Sequence, residues 1–173
     1  MYSFHGLFFK SKLLFLILWA CVFIASSVHG QLTMATQQRI IVVSKKQFQV
    51  YVLEGKDTLC IFPCAVGKNF GNKTQRGDYR TPEGTFRVTQ IQNSKYWTHD
   101  FKDGYGSRKG AYGNWFIRLH VPDFSGIGIH GTCFPESIGT RCTEGCVRLK
   151  NEDLEEFVKY VSVGMECVIE SDY

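Results

Sequence analysis

Arg39-Ile40-Ile41-Val42-Val43, the lysine pair Lys45-Lys46, then Gln47-Phe48-Gln49-Val50-Tyr51-Val52 is the stretch that sets the fold class. Both arms are β-branched and aromatic, and the second alternates apolar with polar residues. Side chains alternate faces along a strand, so this pattern half-buries each arm and reads as a hairpin. Working outward, residues 58–66 repeat the signal and stop at Gly67, and residues 68–80, with Gly71 and Gly77, read as a loop. Residues 85–91, 114–121 and 126–129 are further strands. A long connection over 93–113 holds Gly104, Gly106, Gly110 and Gly113. Only after Cys146 does the period change. Asn151 is the predicted N-cap, Glu152 and Asp153 the acids of a first turn, and Leu154, Phe157, Val158 and Val161 an apolar stripe ended by Gly164. Residues 165–169 return to strand. The tally predicts a mainly β domain, β-sandwich-like or a partly closed mixed sheet, with one or two short helices.

The first thirty residues read as an address. Lys10 and Lys12 precede an uncharged apolar run from Leu13 to Ala25, and small residues Ser26-Ser27-Val28-His29-Gly30 follow. That is the plan of a secretory signal cut after Gly30, or, uncut, of a membrane anchor. Residues 31–173 then form one domain, long enough for a real core. Lys10 and Lys12 are the only charges removed, so the formal charge falls from +4 to +2. That balance is too mild to suggest nucleic acid, and none is expected as a partner. The expected location is outside the cytosol, in the periplasm or cell envelope.

Six cysteines remain beyond Cys21: Cys60, Cys64, Cys133, Cys142, Cys146 and Cys167. Cys60 and Cys64 share a strand about 13 Å apart at the ~3.3 Å rise per residue, too far to bridge. They and Cys167 read as small apolar core residues. Cys133 and Cys142 flank one loop and could staple it in an oxidising compartment.

That loop joins His130-Gly131-Thr132 to Thr143-Glu144-Gly145-Cys146-Val147-Arg148. A thiol performs acyl transfer near neutral pH when a base takes its proton, and imidazole is the usual partner. Cys146 is therefore the candidate nucleophile and His130 the candidate general base and acid. A third group must orient the imidazole; with no Asp or Asn assigned, a backbone carbonyl near Gly131 is the candidate. Gly145 leaves the backbone bare before the thiol, so the N–H groups of Gly145 and Cys146 are oxyanion candidates. Arg148 either pins a substrate carboxylate or braces the loop, and Thr143 bonds loop backbone. The aromatic residues of the 95–115 segment, among them Tyr96, Trp97, Tyr105 and Tyr112, suggest a lid or substrate wall. His99 and His120 lack motif context and read as surface or packing residues.

These residues resemble the L,D-transpeptidase (YkuD-type) catalytic domain of bacterial cell-wall enzymes. The pattern is His130-Gly131-Thr132, Ile138-Gly139 and Thr143-x-Gly145-Cys146-Val147-Arg148-Leu149, with Thr81-Pro82-Glu83-Gly84-Thr85-Phe86 upstream. It spans residues 39–169. Many members carry histidine where this chain has Glu144; the residue here would face solvent or a substrate amine. The resemblance implies a β-sandwich-like fold with the nucleophile in a cleft and no cofactor. It also implies peptidoglycan stem peptides as donor and acceptor, release of terminal D-alanine, and 3→3 cross-links that shape and strengthen the wall. Carbapenems would acylate the same thiol. Water as acceptor would make an L,D-carboxypeptidase, and a protein lysine a wall-anchoring enzyme. Rival readings are a non-catalytic wall-binding domain and a structural zinc knuckle closed by His130, Cys133, Cys142 and Cys146.

Overall fold

A computed structural model describes residues 37–173; the predicted signal and Cys21 lie outside the described residues. The Lys45–Lys46 turn joins β1 (Arg39–Ser44) to β2 (Gln49–Glu54), as the pattern predicts. Then follow β3 (Asp57–Gly67), β4 (Gly84–Asn93), β5 (Thr98–Asp100), β6 (Ser107–Lys109), β7 (Trp115–His120) and β8 (Gly128–His130). The chain continues through β9 (Arg141–Thr143), β10 (Val147–Leu149), α1 (Asn151–Phe157) and β11 (Glu166–Ile169).

Nine of these strands make one sheet in the order β10-β8-β7-β4-β11-β1-β2-β3-β9, and a further pairing of β10 with β3 closes it into a ring. Two contacts in the ring are parallel, β1 with β11 and β10 with β8; the others are antiparallel. Alternation along each strand then sorts side chains into two sets. Ile41, Val43, Val50, Val52, Cys64, Val88, Ile117, Ile129, Val147, Leu149 and Ile169 are buried together as the core. Each such side chain contributes about 1.5–3 kcal/mol on burial. Helix α1 adds Leu154 and Phe157, the latter edge-on to Phe62 with ring centroids 5.8 Å apart.

Three expectations need correction. Asn151 does not cap α1: Lys150 holds that position with no side-chain cap bond, because the Asn151 amide is spent elsewhere. The helix stops at Phe157 and tightens into a 3-10 turn through Tyr160, well before Gly164. The 93–113 connection is not all loop, since β5 and β6 pair within it as a small hairpin. The short strands β9 and β10, hidden in the motif region, were not expected either.

A buried ionic cluster ties the termini of the described fold together. Lys45 is fully buried, with Nζ 2.5 Å from Glu83 and 3.0 Å from Asp172. Asp172 also takes the Gly71 N–H at 2.6 Å and pairs with Arg141 on β9. No helix among the described residues is long and apolar enough to cross a membrane.

Candidate active site

Parallel pairing sets Arg148 opposite His130 and Val147 opposite Ile129. Ile129 and Val147 point into the core, so His130 and Arg148 must point out of it on a shared face. Phe116, opposite His130 on β7, joins them there. The outer face of β7, β8 and β10 is thus the floor of the site.

The 94–114 segment covers that floor. Its ends are pinned by Ser94 to Asn114 and Gly113, and the Gly131 N–H donates to the Tyr112 carbonyl at 2.7 Å. Trp97 packs on Tyr112 and Phe116, and Tyr112 meets the His130 ring at 4.9 Å. Phe116 lies almost parallel to the His130 ring, 5.5 Å away at 9°. Through Trp97 and Tyr112 the segment packs as a wall over this floor. Gly113 and Gly131 make the approach possible: a Cβ on either would come within 2.9 Å of the other's Cα.

His130 Nδ1 lies 2.6 Å from the Gly131 carbonyl, the kind of backbone orienter the sequence left open. This contact places the ring proton on Nδ1 and leaves Nε2 as the basic atom. The turn after His130 is held by Asn151, whose Oδ1 accepts the Thr132 N–H and whose Nδ2 donates to the Thr132 carbonyl, each at 2.9 Å. Burial pushes His130 down to about 3, with the Arg148 charge acting the same way.

Cys146 ends a turn between β9 and β10. Its thiol lies 3.3 Å from the Gly126 carbonyl. Burial pushes the thiol up to about 11 despite the Gly128 amide and the Arg148 charge. Both shifts favour the uncharged forms, imidazole and thiol.

Thr143 organises this turn. Its hydroxyl donates to the Cys146 carbonyl at 2.6 Å and accepts the Gly145 N–H at 3.2 Å. The Gly145 N–H is thereby engaged, and the oxyanion candidate narrows to the Cys146 N–H. Nor does Gly145 simply bare the backbone to substrate. Its φ is +131°, and a Cβ would stand 2.8 Å from the Arg80 carbonyl, so backbone packing demands the glycine. Arg80 closes a loop built on Asp78, whose carboxylate accepts the N–H groups of Thr74, Gln75 and Arg80 and pairs with Lys73. Next along, Thr81 Oγ1 accepts the Gly67 N–H at 2.7 Å.

Arg148 is 6% exposed and faces no carboxylate within ion-pair range. One guanidinium nitrogen donates to Ser137 Oγ at 3.0 Å and lies 3.7 Å from Cys142 Sγ, while Nε has no partner. Of the two roles considered for it, the Ser137 bond is a loop-bracing contact, and the residue also lines the cleft. The described cysteines are all free thiols, so no bridge staples Cys133 to Cys142. The zinc knuckle fails on geometry: among the described residues no three His, Cys, Asp or Glu side chains converge on a metal position. Burial pushes Cys64 and Cys167 up to about 12, as inert core thiols. Cys60 is only half-buried.

His130, Cys146, Arg148 and Thr143 line one cleft of about 540 Å³ with Tyr112. His99 and Glu144 are also there, and His99 is the residue the sequence reading missed. Its Nδ1 lies 3.0 Å from the Tyr112 hydroxyl and its Nε2 3.3 Å from Glu144. Its only sequence signal was membership of the aromatic segment.

Residues 38–169 match the family model of the L,D-transpeptidase catalytic domain, YkuD. YqjB of Bacillus subtilis, provisionally named an L,D-transpeptidase, is 28% identical over 134 residues, covering 76% of this chain and 71% of that one. An L,D-transpeptidase from Mycobacterium smegmatis superposes with a TM-score of 0.60 at 19% identity, covering 78% of this chain and 59% of its own. L,D-transpeptidase 3 from Mycobacterium tuberculosis, solved in complex with a faropenem-derived adduct, gives 0.58 at 17% identity, with 77% and 60% covered. The chain thus spans about six-tenths of each of these two solved structures. With the family model covering the ring and the cleft alike, the chain belongs to the L,D-transpeptidase (YkuD-type) catalytic domain family.

Proposed function

We propose that the chain is an exported, cysteine-dependent L,D-transpeptidase acting on peptidoglycan stem peptides. One observation carries this reading: Cys146 lies two residues before Arg148, the register partner of His130, so both line the same cleft on one face of β10 and β8, with His130 Nδ1 held by the Gly131 carbonyl. In acylation the Cys146 Sγ bonds to the carbonyl carbon of the third stem residue while its proton passes to His130 Nε2. The oxyanion forms against the Cys146 N–H. Collapse breaks the bond to D-alanine, whose nitrogen takes the proton from His130, leaving a thioester. A side-chain amine of a second stem then attacks the thioester. The C–S bond breaks, and a proton returns through His130 to Sγ.

The faropenem-derived adduct on the M. tuberculosis neighbour supports a β-lactam as probe of this thiol. Intact mass after carbapenem treatment tests the reading. A single adduct is expected on the wild-type chain and none on Cys146→Ala; an unmodified folded chain, or an adduct that survives the substitution, overturns it. Export is tested by N-terminal sequencing of the protein recovered from the envelope, with Gln31 expected first.

A further inference from the structure

Glu144 is two residues from the nucleophile, and its side chain is half-exposed at the mouth of the cleft. His99 holds it from the wall. With the Tyr112 hydroxyl donating to His99 Nδ1, the ring proton is on Nε2 and donates to Glu144 Oε1. Phe101 packs edge-on to the same imidazole at 4.6 Å. This relay occupies one carboxylate oxygen; the other has no hydrogen bond among the described residues. Among the described residues no lysine or arginine lies within ion-pair range of Glu144, although Arg148 lines the same cleft. The negative charge nevertheless reaches the thiol, which it pushes up. A carboxylate oriented from behind, open in front and without a Lys or Arg partner suits a primary ammonium.

We propose that Glu144, oriented by His99, is the acceptor-amine site, binding the incoming ammonium and directing the acyl group to an amine rather than to water. The proposal rests on the acyl-enzyme reading above and adds the choice of acceptor. The bound ammonium first loses one proton to solvent at the open mouth. The neutral amine then forms the C–N bond as the C–S bond breaks, and its second proton passes through His130 to Sγ. His99 is a positioning residue in this scheme.

The test reads aminolysis against hydrolysis per acyl-enzyme formed, so changes in acylation cancel. A stem tetrapeptide serves as donor. The acceptors are a stem tripeptide with a free side-chain amine, and hydroxylamine, which is largely uncharged at pH 7. Glu144→Gln is expected to lower the aminolysis-to-hydrolysis ratio about tenfold for the cationic acceptor and leave it unchanged for hydroxylamine. That fold-change is the size expected for one charge-assisted hydrogen bond. Glu144→Asp should recover part of the loss. An unchanged ratio with the tripeptide, or an equal loss with both acceptors, overturns the acceptor site while leaving the acyl-enzyme in place. A wild-type chain that forms no acyl-enzyme overturns both readings.

Discussion

Keeping Cys146 and His130 uncharged is what a partly dry cleft favours, since desolvation penalises each charged form. A thiol held near 11 predicts its own reactivity profile. Alkylation of Cys146 by iodoacetamide, followed by peptide mapping, should rise with pH through about 11, with no reactive plateau at mildly acid pH. A plateau would mean a preformed thiolate–imidazolium pair. Asn151 offers a second test at this scale. Its two bonds hold Thr132 and so the turn behind His130. Asn151→Ala should lower the carbapenem acylation rate about tenfold or more while the protein stays folded, because it strips two positioning bonds worth roughly 0.5–1.5 kcal/mol each. Circular dichroism beside acylation kinetics checks this. Cys146 and His130 could be named as candidates because the pattern that suggests them lies in a local run of residues. Asn151 read as a cap and His99 as packing, because what they hold is distant in sequence and only folding brings it near.

Elements were legible in proportion to their length. The hairpin and the strands over 57–67 and 84–93 carry enough β-branched residues to show a period. Strands β9 and β10 have three residues each and are interrupted by the glycine-bearing turn that presents the thiol, so no period develops. The closing contact of β10 with β3 joins residues more than eighty positions apart, which no local pattern announces. Crowding at the turns follows from this closure. Gly145→Ala should disable acylation by forcing a Cβ against the Arg80 carbonyl at a φ that L-residues rarely adopt, costing about 1–3 kcal/mol of backbone strain. Loss of the carbapenem adduct with the core still cooperative in thermal unfolding would be the signature. In α1, Leu154→Ala should cost about 2–5 kcal/mol, since Leu154 is fully buried against the core.

Across the described residues, the ionic cluster of Lys45, Glu83, Arg141 and Asp172 links the first hairpin, the loop before β4, strand β9 and the C-terminal tail. Burial alone would raise the Asp172 carboxyl. The Gly71 amide, Lys45 and Arg141 outweigh it and hold the group below the ordinary carboxylate range. With its folded value depressed, Asp172 contributes stability that is complete above its unfolded value and is lost as pH falls through the folded one. Acid unfolding of the wild type should show that loss and Asp172→Ala should not. At neutral pH the substitution should cost about 3–5 kcal/mol, because Lys45 stays buried with one partner fewer. Urea denaturation at two pH values separates the two effects.

The two-residue alternation of β8 and β10 has a consequence for how this sequence can change. Isoleucine and valine at 129 and 147 write the interior, while histidine and arginine at 130 and 148 write the chemistry. Two messages are interleaved letter by letter in the same six residues. Either can be rewritten without touching the other, provided the phase is kept. A single inserted residue in β8 would read each message in the other's place, setting imidazole into oil and isoleucine into the cleft.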